Sequence, residues 1–179
     1  MIKGGKGGGN TRTGLIFEGK TDLSVFLKHQ PHYDVINHDV FYDGEKVAEV
    51  YKKHSFYNVF LERLGIDWKK IISKQLLPDD SIFVLLNNTL FIIECKHQQI
   101  AGSVDEKLQT CDFKKKQYKK LLSAANIEVE YIYLLNDWFR DERYRDVLDY
   151  IHSVGCDYYF EYVPLFRLGL PVPPELIED

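Results

Sequence analysis

The stretch Leu77-Pro78-Asp79-Asp80-Ser81-Ile82-Phe83-Val84-Leu85-Leu86-Asn87-Asn88-Thr89-Leu90-Phe91-Ile92-Ile93-Glu94-Cys95-Lys96-His97-Gln98 decides the fold. It reads as two strands joined by a tight turn. Ser81 to Leu86 is β-branched and aliphatic, Asn87-Asn88 is a pair that tolerates positive φ, and Thr89 to Lys96 is the return strand. Side chains alternate faces along a strand. Leu90, Ile92, Glu94 and Lys96 therefore share one face, and Phe91, Ile93 and Cys95 the other. Asp79 stands just before the first strand, at the end of the hairpin where Glu94 and Lys96 emerge. Buried charge is costly unless it is paired or binds a metal. Two readings stay open: a Glu94–Lys96 ion pair fraying into solvent, or a cation site. Two carboxylates suit Mg²⁺, a hard ion that takes one or two protein carboxylates plus waters and phosphate oxygens.

Glu-x-Lys by itself carries little information. Pro-Asp, then a hairpin, then apolar-Glu-x-Lys is far more specific. On these residues the chain resembles the PD-(D/E)xK nuclease superfamily: Pro78-Asp79 matches the first half of its signature and Glu94-Cys95-Lys96 the second. His97-Gln98-Gln99 and Gly102-Ser103-Val104-Asp105-Glu106-Lys107 are similar to the segment after the catalytic strand in type II restriction endonucleases. The resemblance spans roughly residues 10 to 135. It implies an α/β, restriction-endonuclease-like core with a central mixed β-sheet flanked by helices. It also implies Mg²⁺-dependent endonuclease cleavage of double-stranded DNA, with hydroxide attacking phosphorus in line. The implied ligands are Asp79, Glu94 and the Cys95 carbonyl. Lys96 would orient or activate water, Gln98 would hold the lysine or a phosphate, and Glu18, on the first core helix, would add an acid to the site.

The composition is that of a soluble globular protein: 179 residues, 45% hydrophobic and 28% charged, with 12 Tyr and 11 Phe. A single domain over 1–179 is expected, with 1–9 a flexible Gly/Lys-rich tail and 164–179 an extended, surface-bound tail. The net charge of −4 gives no global basic field, so DNA binding must rest on local patches. Cys95, Cys111 and Cys156 lack zinc spacing and read as thiols of a reducing compartment. With no membrane-length apolar run and no signal peptide, the expected location is cytoplasmic. Gly-x-Gly-x-x-Gly after a strand and Gly-x-Ser-x-Gly are both missing, which removes the usual support for a metabolic α/β enzyme.

Gly7 to Gly14 is a glycine-rich loop with Arg12, suited to a phosphate contact. Leu15 to Lys28 reads as a helix with Leu15, Leu23, Phe26 and Leu27 as its buried stripe. Tyr33–Tyr42 and Lys46–Tyr51 read as a strand pair around Asp43-Gly44. Ser55–Leu64 and Asp67–Lys74 read as helices capped by Ser55 and Asp67. Ser103 with Glu106 forms a capping box for a helix running to about Ala125, the most basic part of the chain. Its Leu108, Cys111, Tyr118, Leu121 and Leu122 must face the sheet. Lys107 with Lys114 would form one basic flank, and Lys116, Lys119 and Lys120 another. Either DNA phosphates run along one of these flanks, through Lys107, Lys116, Lys119 and Lys120, or the lysines are a solubilising surface. Val129–Leu135 (strand), Asp141–Ser153 (helix) and Tyr158–Val163 (strand) complete the order. A homodimer, a small catalytic subunit beside a larger recognising partner, a repair or recombination nuclease, and an inactive nuclease-like DNA-binding subunit all remain compatible.

Overall fold

The computed structural model describes residues 14–16, 22–99 and 104–177. Seven strands form one mixed sheet, in the order β2 (Tyr33–Ile36), β3 (Asp39–Tyr42), β4 (Glu45–Tyr51), β5 (Asp80–Val84), β6 (Thr89–Lys96), β7 (Glu128–Leu135) and β8 (Asp157–Phe160). From β2 to β6 each strand runs antiparallel to the last. The β6–β7 and β7–β8 pairs are parallel. Parallel neighbours need a crossover, and helices supply it: α2 (Val104–Leu108) and α3 (Cys111–Leu122) before β7, and α4 (Arg145–Ser153) before β8. This is the mixed sheet with flanking helices that the resemblance implies.

Both faces of the sheet are covered, so β6 reads as an almost unbroken apolar run rather than an alternating one. One face packs Leu90, Ile92, Tyr131 and Tyr133 against Tyr118 and Leu121 of α3, Ile151 of α4 and the π-helical turn Phe56–Leu61. The other packs Phe91, Ile93, Ile132 and Leu134 against Leu23 and Leu27 of α1 (Leu23–Lys28). Cys95 packs on this second face, as period-two alternation from Ile93 requires. At such fully buried positions, truncating Ile92 to Ala costs about 2–5 kcal/mol.

Several boundaries differ from the sequence expectation. The segment Leu15–Lys28 is not one helix. Gly14–Ile16 is a strand, β1, paired antiparallel with β9 (Tyr162–Pro164), and α1 begins only at Leu23, capped by the Asp22 side chain. Tyr33–Tyr42 is two strands, because Asn37 takes a left-handed φ of 56° and turns the chain back. The Asp43-Gly44 turn forms as expected, with φ of 48° and 83°. Ser55 makes no side-chain cap, whereas Asp67 accepts from the Lys69 amide at 3.2 Å; the helix it caps is a single 3-10 turn, Trp68–Lys70. The basic helix breaks at Gln109-Thr110, so α2 and α3 are separate, and the Ser103 cap lies outside the described residues. Glu161, at φ 65°, splits the last strand into β8 and β9. The chain after β9 is packed instead of extended: Leu165, Leu168 and Leu170 are buried against the α1 face, and the Tyr33 hydroxyl donates to the Pro171 carbonyl at 2.6 Å.

Candidate active site

The start of β5 is fixed to the end of β4. The Lys53 amide donates to the Pro78 carbonyl at 2.9 Å, and the Ser81 hydroxyl to the Tyr51 carbonyl at 2.8 Å. Further back, the hydroxyls of Tyr57 and Tyr118 donate to the Leu76 carbonyl at 2.9 and 2.8 Å. These bonds hold the approach to Asp79. The Asp79 Oδ2 accepts the Cys95 backbone N–H at 3.3 Å, which ties it directly to the Glu94-Cys95-Lys96 strand. Its Oδ1 is ion-paired with Lys53. Alternation on β5 puts Asp79 on the face of Ser81 and Phe83, the face that Glu94 also occupies. Asp80 is on the opposite face, beside Asp22 and a cavity of about 470 Å³.

Glu94 is only 5% exposed. Its carboxylate accepts from Lys114 Nζ at 2.7 and 2.9 Å and pairs with Lys96 Nζ at 2.9 Å. Burial pushes the Glu94 carboxyl up; the Lys96 and Lys114 ammonium groups outweigh it and hold the group below its ordinary value. Glu94 is thus an ionised carboxylate inside the protein. Lys96 Nζ also lies 5.9 Å from the Tyr133 ring centre. The buried Tyr131 hydroxyl makes no well-formed hydrogen bond among the described residues, and burial first, then charges including Glu94, push its pKa far up. Burial, with Asp79 and Asp80 adding to it, pushes the Cys95 thiol up as well, so its sulfur stays protonated.

Among the described residues no group of three or more His, Cys, Asp and Glu side chains converges to hold a metal. Asp79 and Glu94 are two carboxylates, a number that suits Mg²⁺, whose remaining ligands are water and phosphate oxygens. An ionised, buried Glu94 carboxylate at the strand end where Asp79 is held fits such an ion.

The structure brings Asp79, Glu94, Cys95 and Lys96 to one end of the β5–β6 hairpin. Gln98 comes next, buried, with its backbone bracketed by Asn136: Asn136 Oδ1 accepts the Gln98 N–H at 3.2 Å, and Asn136 Nδ2 donates to the Gln98 carbonyl at 2.8 Å. Glu18 and Arg12 lie outside the described residues. Lys107, Lys119 and Lys120 are exposed, and Lys116 is exposed and paired with Asp112 at 2.7 Å. The flank that reaches Glu94 is the one carrying Lys107 and Lys114. Lys115 is not on a solvent flank: it is buried, bonded to Glu130 at 2.8 Å and to the Gly155 carbonyl. Sequence reasoning placed Lys114 on a basic flank with Lys107 but missed its pairing with Glu94, and it missed Asn136. The spacing of Cys111, Lys114, Lys115 and Tyr118, three or four residues apart, was the available signal for the first. Asn136 ends an apolar strand and carried no comparable signal.

Residues 38–121 match the family model described as the PD-(D/E)XK nuclease superfamily domain. No curated protein and no solved structure matches the chain. The matched span runs from β3 into α3 and is just under half of the chain. Among the described residues no helix is long and apolar enough to cross a membrane. The match supports the resemblance to the PD-(D/E)xK nuclease superfamily, and Asp79, Glu94 and Lys96 all lie inside the matched span.

Proposed function

We propose that the protein is a Mg²⁺-dependent DNA endonuclease, a type II restriction enzyme or its small catalytic subunit, working in the cytoplasm. The observation that carries this reading is the Asp79 Oδ2 bond to the Cys95 amide, which sets the first carboxylate against the strand that bears Glu94 and Lys96. Nucleases of this superfamily typically use divalent metals. Asp79, Glu94 and the Cys95 carbonyl would hold the ion, with Glu18 as a further acid. When bound, the ion polarises phosphoryl oxygen and lowers the pKa of water. Lys96 sits where the strand meets solvent and orients the attacking water or offsets phosphate charge. Gln98, fixed by Asn136, supports that lysine or a phosphate. Arg12, Lys107, Lys116, Lys119 and Lys120 would contact the double-stranded DNA backbone. A homodimer or a larger recognising partner would supply sequence reading.

A second reading, a catalytically silent DNA-binding subunit, is favoured by the lysines that already occupy both carboxylates. Lys96→Ala separates the two. The active-enzyme reading expects this variant to bind Mn²⁺ in calorimetry at least as tightly as the parent does while losing nearly all DNA cleavage. A parent protein that binds Mn²⁺ and DNA yet never cleaves would favour the silent subunit.

A further inference from the structure

Lys114 lies half-buried on α3, on the flank beside the buried stripe of Cys111, Lys115 and Tyr118. Its neighbour Lys115 has a plain structural task, closing α3 onto Glu130 and Gly155. Lys114 has a different target: both oxygens of Glu94, at 2.7 and 2.9 Å. Glu94 already has a counter-charge in Lys96 at 2.9 Å, and Asp79 has one in Lys53. Three ammonium groups therefore attend two carboxylates. Neutralisation needs only two of them. An extra cation at a half-open strand end suits a site that receives an anion, and the long lysine stem lets its head move without moving the helix.

We propose that Lys114 is a positioning residue: it holds Glu94 in the cation-free protein and yields the carboxylate when a divalent cation binds, freeing its ammonium for the phosphodiester. The inference rests on Asp79 and Glu94 being the cation site. A carboxylate shared with Lys114 is open to the incoming ion for only part of the time, and a competent fraction of about one tenth weakens apparent affinity about tenfold.

The test needs no catalysis. Mn²⁺ binding to the full chain is measured by calorimetry without DNA, and thermal unfolding is followed with and without Mn²⁺. Lys114→Met should bind Mn²⁺ about tenfold more tightly than the parent. It should also melt lower without Mn²⁺ and gain more from Mn²⁺ than the parent does. Lys114→Gln carries the same expectation should the methionine variant fold poorly, and Lys114→Arg should keep the parent's affinity. Unchanged or weaker Mn²⁺ binding in the folded variants, or an equal loss of stability with and without Mn²⁺, overturns the inference and leaves Lys114 a structural ion pair. Glu94→Gln tells the two levels apart. If it leaves the parent's Mn²⁺ binding intact, the cation-site reading fails and the inference falls with it. If it abolishes that binding while Lys114→Met changes nothing, only the inference fails.

Discussion

Asp80 is the buried carboxyl whose removal should stabilise the fold. It is 7% exposed, and its own β5 alternation turns it away from Glu94. Burial, and next the neighbouring Asp22 carboxylate, push it up from 3.8 to about 7, against the pull of Lys52. The folded protein therefore holds this proton more tightly than the unfolded chain. Between the two values the native state binds more protons, so stability falls as pH rises, and the full penalty is present above about pH 7. Three pH units at about 1.4 kcal/mol each give a ceiling of roughly 4 kcal/mol, which relaxation around the site reduces to about 2–4. Asp80→Asn keeps the shape and removes the charge. Urea unfolding at pH 8 should show the variant more stable than the parent by that amount, and at pH 4 the two should be equal within error. A gain of the same size at both pH values, or a loss at pH 8, would refute the electrostatic origin of the effect.

The same geometry sets two further outcomes. Replacing Lys116, Lys119 and Lys120 of α3 together by Gln, or Lys107 of α2 alone, should flatten the salt dependence of DNA affinity by about 0.9 per lost phosphate contact; anisotropy in Ca²⁺ reads the slope, and two unchanged slopes would leave α2 and α3 a solvating surface. Asn136→Ala removes both bonds that bracket Gln98, so stability should fall by about 1–3 kcal/mol; denaturant titration measures it, and single-turnover cleavage should slow as the strand end behind Lys96 loosens.

What was legible in the sequence was local. The β5–β6 hairpin could be read because its apolar run is long, its Asn87-Asn88 turn tolerates Asn88 at φ 51°, and the period of two fixes Glu94 and Lys96 on one face. What escaped was set by distant partners. Gly14–Ile16 is a strand only because β9 lies beside it, roughly the whole chain away. Leu165 and Leu168 sit on a single 3-10 turn, too short to stand out as a period in the sequence, and their burial with Leu170 depends on the α1 face they cover. The turn at Asn37 had an Asn to mark it, yet the apolar residues on both sides read as one strand. Lys114 was legible as a basic flank beside the buried stripe; only the fold sets Glu94 opposite it.

The central claim is that Asp79 and Glu94 serve a divalent cation for phosphodiester hydrolysis. Supercoiled plasmid, incubated with the parent protein, Asp79→Ala and Glu94→Ala in Mg²⁺ and in EDTA, tests it most directly. The account predicts nicked or linear DNA from the parent in Mg²⁺ alone, and intact supercoils from both variants, each still folded by circular dichroism. Cleavage at the parent's rate by either variant, or equal cleavage in EDTA, would contradict it.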